Sequence, residues 1–185
     1  MASLFSHPAV PLAIGIALGT RIIPPRLLLA GIVGCMLPDT DVIAFRLGVS
    51  YESAFAHRGF THSIFFGLMC GALAAALATT LRSRPWIAFV FVSIATASHG
   101  LLDALTTGGS GVAFFWPFDN ERYFMPLQVI LVSPIGVARF FSEWGIRVLL
   151  SELKWVWLPS LGPAVSIYLI RRACEQRAIH RWGGH

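Results

Sequence analysis

Charged residues are scarce in this chain. Only 12% of its 185 residues are charged and 56% are hydrophobic, whereas a soluble domain carries about 25% charged residues. Together with apolar runs of about 20 residues, this composition excludes an ordinary soluble domain and predicts a membrane protein. At this length we expect one integral membrane domain over residues 1–185. We expect the formal charge of +5 to meet lipid headgroups, and we predict no nucleic-acid partner.

Cysteine is too sparse and too scattered to build a site. Cys35, Cys70 and Cys174 are odd in number, lie far apart and form no CxxC pair. This pattern excludes a disulfide framework and a thiolate metal centre, so the three side chains are predicted to pack among apolar ones. Residues 1–23 lack a basic segment followed by a cleavage site, and we do not expect them to be a removed signal peptide.

Proline and polar turns divide the apolar sequence into segments, which predicts an all-α helical bundle with about 4–5 membrane segments. The predicted segments are 8–23, 25–36, 63–81, 86–105 and 155–170. The first two are short for a hydrocarbon core of ~30 Å, so they form either a barely spanning hairpin or a partly re-entrant one. Residues 136–154 are predicted to form an amphipathic helix at the interface, and residues 171–185 a basic tail.

Three local features refine this bundle. Gly67 and Gly71 predict close packing of the third segment against a neighbour. Pro159 and Pro163 are expected to kink the last segment. The aromatic sequence at 116–118 is typical of a membrane-interface belt and, as a second role, could line a groove for a lipid substrate.

Basic residues cluster in the turns 21–26 and 82–84 and in the tail, and the positive-inside rule places these segments in the cytoplasm. Five alternating crossings then put the N-terminus outside and the C-terminus inside. The histidines and aspartates of four polar groups all fall on the outer side. These groups are His7, Asp39 with Asp41, His57 with His62, and His99 with Asp103.

Imidazoles and carboxylates that meet at the ends of apolar segments predict a metal site. His99 and Asp103 are four residues apart and share a helix face; the alternative for this pair is a plain hydrogen bond. Asp39 and Asp41 follow a helix end, where the helix dipole disfavours carboxylates and a cation would compensate them. An arginine could supply that positive charge instead of a metal.

Residues 57–63, HRGFTHS, join two imidazoles, a guanidinium and two hydroxyls before a long apolar run. Arg58 is a candidate to hold an anionic substrate, with phosphate the obvious group. The alternatives are that it reaches lipid headgroups or, with Arg46, compensates the aspartates. Thr61 or Ser63 could cap the helix that follows.

The order of these motifs resembles the YdjM-like family of bacterial inner-membrane proteins, described as predicted membrane-bound metal-dependent hydrolases. Over about residues 1–135 the likeness is carried by His7, the PDTD turn at 38–41, residues 57–63, Ser98-His99 with Asp103, and the WPF sequence at 116–118. It implies a multi-pass protein of the bacterial cytoplasmic membrane. The order His, Asp, His, HxxxD is also similar to zinc-dependent phospholipase C. Since no second His-xxx-acid pair follows, we expect one or two metal ions rather than three.

Two functional hypotheses follow. The first is a metal-dependent hydrolase acting on a lipid or lipid-linked (phospho)ester at the membrane surface, with zinc or alternatively manganese. Asp41 is its predicted general base and Arg58 its predicted contact to a phosphate oxygen. The rival hypothesis is a transporter or proton-coupled module. The location of the polar groups at the ends of the apolar segments, rather than in the middle of a span, argues against it. The predicted metal ligands are His7, Asp39, His57, His62, His99 and Asp103.

Overall fold

The structure is a computed structural model that describes residues 1–43, 48–50, 53–134 and 140–182. Five α-helices form within these residues. They are α1 (Ala9–Leu18), α2 (Pro25–Met36), α3 (Ile64–Ala76), α4 (Pro85–Ala104) and α5, which begins as Glu143–Glu152 and continues as Leu158–Trp182. No strand forms among these residues, although two isolated β-bridges occur in the loop before α5. The predicted all-α class is confirmed. Arg46 lies outside the described residues.

Proline and serine mark where the helices begin. Pro25 and Pro85 occupy the first position of α2 and α4, where the missing proline N–H costs no helix hydrogen bond. Of the two predicted caps for α3, Ser63 is the one that acts, because its hydroxyl accepts from the N–H of Phe66 at 3.1 Å. α1 ends before Gly19, whose φ of 75° stops the helix short of the predicted residue 23.

α4 is the central helix of the bundle. In the most apolar stretch of α4, 67% of the residues are buried, whereas in the most apolar stretch of α5 only 11% are buried. α4 packs against α2 and α3, while α1 packs against α2 and α5. The predicted close packing of Gly71 is confirmed, because a Cβ there would lie 2.6 Å from the carbonyl oxygen of Phe89 on α4. Apolar side chains such as Ile167 and Ile170 on α5 are exposed, as on a lipid-facing helix.

Among the residues that the structure describes, two helices are long and apolar enough to cross a membrane, Pro85–Ala104 and Glu143–Arg177. α1 and α3 are apolar but shorter, with 10 and 13 residues, which corresponds to about 15 and 20 Å. Helix length therefore supports two of the predicted 4–5 membrane segments. The remaining crossings stay a prediction.

α5 differs from the two separate helices that the sequence predicts in this region. A π-helical turn at Leu153–Trp157 joins its two parts, and the chain there contains neither glycine nor proline to end a helix. Pro159 lies two residues after the end of this turn. Because proline lacks an N–H, it interrupts regular helix hydrogen bonding, which a wider turn accommodates.

The two ends of the bundle have different chemistry. At one end, Arg21 borders one cleft together with Arg171 and Arg172 and another together with Arg82 and Arg84. The basic turns therefore lie at the same end of the bundle, and their cytoplasmic location stays a prediction. At the opposite end the histidines and aspartates meet.

Candidate metal centre

Four segments carry the predicted ligands to the same end of the bundle. His7 lies two residues before α1, and Asp39 lies in a 3₁₀ turn, Pro38–Asp41, that extends α2. His62 ends a second 3₁₀ turn that leads into α3, and the last two turns of α4 carry His99 and Asp103. Because successive helices run in opposite directions, these starts and ends coincide.

Four of the side chains form a compact group. The Nε2 atoms of His62 and His99 lie 3.1 Å apart. His99 Nε2 is 3.4 Å from Asp39 Oδ1, and His62 Nε2 is 3.5 Å from Asp103 Oδ2. One ligand atom of each residue lies within 4.8 Å of those of the other three. Ligands at about 2.0–2.1 Å from one ion are roughly 3–3.4 Å apart, so this group could hold a metal ion.

His7 borders this group from the side of α1. Its ring stacks on that of His99, with the centroids 3.6 Å apart. Its Nε2 is 3.7 Å from Asp39 Oδ2 and 3.9 Å from Asp103 Oδ1. Burial, followed by the neighbouring His99, lowers the pKa of His7 to about 3. The imidazole is therefore neutral at physiological pH, the form in which histidine binds metals.

Hydrogen bonds turn the Nε2 atoms of two histidines towards the group. His99 Nδ1 is 2.6 Å from the carbonyl oxygen of Cys35, which can only accept, so Nδ1 carries a proton and Nε2 can offer its lone pair. His62 Nδ1 is 3.1 Å from the hydroxyl oxygen of Thr61, which gives its own proton to Asp41, and 3.2 Å from the Asp41 carboxylate. Both neighbours accept, so this Nδ1 also carries a proton and Nε2 is turned towards the group. Such partners on the far nitrogen are the usual support of a metal-binding histidine.

Asp41 is the centre of the surrounding hydrogen bonds. Its Oδ1 is 2.6 Å from His57 Nδ1, and its Oδ2 accepts from the hydroxyl of Thr61 at 2.7 Å and from the N–H of Arg58 at 3.3 Å. Burial alone would raise the pKa of Asp41, but the hydrogen bonds from His57 and His62 outweigh burial and hold the pKa well below its usual range. A carboxylate held in this way favours positioning its neighbours over taking up a proton.

A second group of possible ligands consists of Asp41, His57 and His62. The 2.6 Å between Asp41 and His57 is a hydrogen-bond distance and is shorter than the spacing expected for two ligands of one ion. The structure thus places His57 beside the first group, in contact with Asp41. Its ligation of a metal stays a prediction.

Buried polar atoms without partners face the first group. Within the described chain, both nitrogens of His7, both oxygens of Asp39 and Oδ2 of Asp103 have no hydrogen-bond partner, although buried polar atoms normally have one. Burial alone would lower the pKa of His62, but its hydrogen bonds to Asp103 and Asp41 raise the pKa to about 9. The position therefore attracts positive charge, in the form of a proton on His62 Nε2 that a divalent cation would displace on binding.

Arg58 is fully buried next to Asp103. Its Nε lies 3.2 Å from Asp103 Oδ2, an ion pair without the alignment of a hydrogen bond. Its Nη1 donates to the carbonyl of Gly108 at 3.0 Å and its Nη2 to the hydroxyl of Thr106 at 2.9 Å. The guanidinium thus ties the end of α4 to the loop that follows. A contact between Arg58 and a phosphate stays a prediction.

Several supporting groups were not predicted from the sequence. Cys35 contributes only a backbone carbonyl, and Thr106 and Arg122, which donates to the carbonyl of His57 at 2.8 Å, belong to an unpatterned loop. Glu152 accepts hydrogen bonds from the N–H and the hydroxyl of Ser3, which joins α5 to the segment that carries His7. Of these, only Glu152 offered a signal, as a carboxylate beside an apolar segment.

Comparison with known proteins places the chain in a family. Residues 1–176 match the YdjM inner membrane protein family. The chain belongs to this family. A relative, inner membrane protein YbcI of Escherichia coli (strain K12), is 46% identical over 167 residues, covering 87% of this chain and 94% of YbcI. No solved structure is significantly similar. Membership of the YdjM family confirms the resemblance and accounts for the apolar surface of α5.

Proposed function

We propose that this protein is a metal-dependent hydrolase of the inner membrane that cleaves an ester or phosphoester bond. The observation that carries the proposal is the convergence of ligand atoms with unpartnered buried oxygens and nitrogens among them. The residues that would hold one divalent ion are His7, Asp39, His62, His99 and Asp103. Zinc suits this mixture of imidazole and carboxylate, and manganese is the alternative. A bound ion would polarise the scissile bond and lower the pKa of water.

The surrounding residues would prepare the site for this chemistry. Asp41 would keep His62 turned towards the ion, and its predicted role as general base would require one of its hydrogen bonds to open. Arg58 would hold Asp103 and add positive charge that favours an anionic substrate such as a phosphoester. A second ion at Asp41, His57 and His62 would require the hydrogen bond between Asp41 and His57 to open.

An apolar cleft beside the metal centre supports a lipid or lipid-linked substrate. The cleft has a volume of about 370 Å³ and reaches Asp39. Its other lining residues are mostly apolar, namely Leu4, Val33, Met36, Leu37 and Thr40. An acyl or prenyl chain could therefore occupy it while the polar group of the same molecule approaches the ion.

We further propose a multi-pass arrangement in which the shorter helices α1, α2 and α3 also cross the membrane. The arginine-rich end would then face the cytoplasm, as the positive-inside rule requires. The metal centre would open towards the outer side of the inner membrane.

The metal content of the detergent-purified protein, measured by elemental analysis, tests the proposal first. We expect about one zinc or manganese ion per chain, lost in His62→Ala/His99→Ala while the helical circular dichroism persists. His180→Ala/His185→Ala, which removes two histidines from the C-terminal tail, is the matched control and should keep the metal. The loaded protein would then be assayed with phosphoesters and phospholipids.

A protein that stays free of metal after reconstitution with each ion would contradict the hydrolase. In that case the transporter or proton-coupled module, in which the same residues relay protons or bind a transported ion, would take its place. Cleavage that persists unchanged after removal of the metal would also contradict it.

A further inference from the structure

A larger cleft lies at the arginine-rich end of the bundle. It has a volume of about 810 Å³ and is bordered by the end of α1, the start of α2 and α5. Gly19, on its border, follows His7 by twelve residues, which corresponds to about 18 Å along a helix. The cleft is therefore separate from the metal centre, and what it binds does not depend on the hydrolase.

One part of this cleft is apolar. Its walls come from helices that pack against each other in the bundle, and they present branched aliphatic side chains. These are Leu12 and Ile16 of α1, Leu28 of α2, and Val165 and Leu169 of α5. Ile16, Val165 and Leu169 are exposed in the described chain. A hydrocarbon chain could lie along these side chains.

The other part of the cleft is basic. Arg21, Arg171 and Arg172 border it, and Glu175 is the single acidic residue among the described side chains that line it. The local excess of positive charge is therefore two. The neighbouring cleft of about 330 Å³ contains Arg21 again, with Arg82 and Arg84, so the positive surface continues beyond the rim.

Two of these arginines are already held in place. Arg171 donates a hydrogen bond to the carbonyl of Leu18 at the end of α1, and its buried Nε has no hydrogen-bond partner in the described chain. The guanidinium groups of Arg171 and Arg172 lie 5.9 and 5.7 Å from the ring centroid of Tyr168. A pre-positioned guanidinium loses less conformational freedom when it binds an anion.

We propose that this cleft binds an anionic phospholipid. The phosphate would lie against Arg21, Arg171 and Arg172, and an acyl chain would follow the apolar wall between α1 and α5. Guanidinium groups bind phosphate with paired, charge-assisted hydrogen bonds, and basic pockets between membrane helices recognise anionic headgroups. The adjoining apolar wall distinguishes a lipid from free phosphate, which would contact only the arginines.

Native mass spectrometry of the full-length protein in detergent, titrated with phosphatidylglycerol or with phosphatidylcholine of the same acyl chains, tests this proposal. We expect one site with a clear preference for phosphatidylglycerol. Arg171→Gln/Arg172→Gln should weaken that binding about 30-fold, since each basic residue near a lipid surface contributes roughly a fivefold factor. Arg147→Gln/Lys154→Gln, which removes two charges from exposed positions outside the cleft, should bind like the wild type.

A second variant probes the apolar wall without a change of charge. Ile16→Trp fills the space of the acyl chain, and we expect it to weaken phosphatidylglycerol binding at least tenfold; it also decides the question if the double arginine variant does not fold. Equal binding of the two lipids would overturn the proposal. So would an equal loss in the control variant, or competition by glycerol phosphate as strong as that by the intact lipid.

Discussion

Asp39 and Asp41 differ in their hydrogen bonding, and this difference gives them different roles in the metal centre. They are two positions apart in one 3₁₀ turn. Both oxygens of Asp41 accept hydrogen bonds from the 57–62 segment, whereas within the described chain neither oxygen of Asp39 has a hydrogen-bond partner. Asp39 is thus free to bind an ion, and Asp41 is committed to holding the histidines.

Replacement of Asp41 by asparagine tests its positioning role. Asp41→Asn keeps the shape but weakens acceptance from two imidazoles, so we expect metal affinity to fall about 10–100-fold. The measurement is competition with a chromophoric chelator. Asp119→Asn is the control, because Asp119 contacts Tyr123 and Glu121 in the loop before α5. Unchanged affinity with lost turnover would instead favour Asp41 as the general base.

At the scale of helices, close packing by small residues lets α3 and α4 bring His62 and His99 together. Gly71 faces Phe89 and Ser93 of α4. Gly100, next to His99, lies so near the turn before α3 that a Cβ there would be 2.5 Å from the carbonyl oxygen of His62. Both glycines act through the absence of a side chain, which allows the two backbones to approach.

A glycine comparison tests this packing. Gly71→Ala places a methyl group 2.6 Å from the Phe89 carbonyl oxygen, so α3 and α4 must separate, and we expect a loss of about 1–3 kcal/mol in the free energy of unfolding. Gly162→Ala in α5 meets no atom of the described chain within 4 Å and should be neutral or stabilising by up to ~1 kcal/mol. Denaturation midpoints in detergent measure both. Equal stability of the two variants would contradict the close crossing.

For the whole molecule, the metal centre joins four segments that are distant in sequence, and Glu152 ties α5 to the N-terminal segment. Two buried carboxylates, Asp39 and Asp103, lie close together in this centre. A bound cation would offset their repulsion and connect all four segments. Metal binding and stability of the fold should therefore be coupled.

Removal of the metal by a chelator tests this coupling. With free ion at about 100 times its Kd, binding adds roughly 2.7 kcal/mol to the stability of the folded state. For a chain of this size we expect a fall in Tm of about 5–10 °C on chelation, and recovery when the ion is restored. Scanning fluorimetry measures the change. His62→Ala/His99→Ala should show no shift in Tm. An unchanged wild-type Tm after complete removal of the ion would contradict a contribution of the metal to the stability of the fold.

The two ends of the bundle are predicted to face opposite sides of the membrane. Cys174, exposed near the arginine-rich end, should react with a membrane-impermeant maleimide only from the cytoplasmic side. Asn120→Cys in a Cys174→Ser background places the thiol in the exposed loop before α5 and should react from outside. Labelling of both thiols from the same side in intact cells would contradict the proposed topology.

The sequence by itself determined the membrane class, the positions of α2 and α4, and the shared end of the polar groups. Scarce charge and apolar runs follow from composition, and Pro25 and Pro85 start helices through the local geometry of the ring. Helices joined by short turns alternate in direction. The end of one helix and the start of the next therefore lie at the same end of the bundle, and polar residues at these positions come together. These are properties of neighbouring residues, and no tertiary contact is needed to infer them.

Only the tertiary structure decided which atoms meet. Asp39 faces the histidines while Asp41 supports them, Arg58 pairs with Asp103, and a carbonyl of α2 orients His99. These contacts depend on the directions of side chains in turns that have no sequence periodicity. The continuity of α5 likewise depends on how its π-helical turn accommodates Pro159. Such contacts join residues a hundred or more positions apart, as between Ala2 and Asp103, and they follow from how the helices pack.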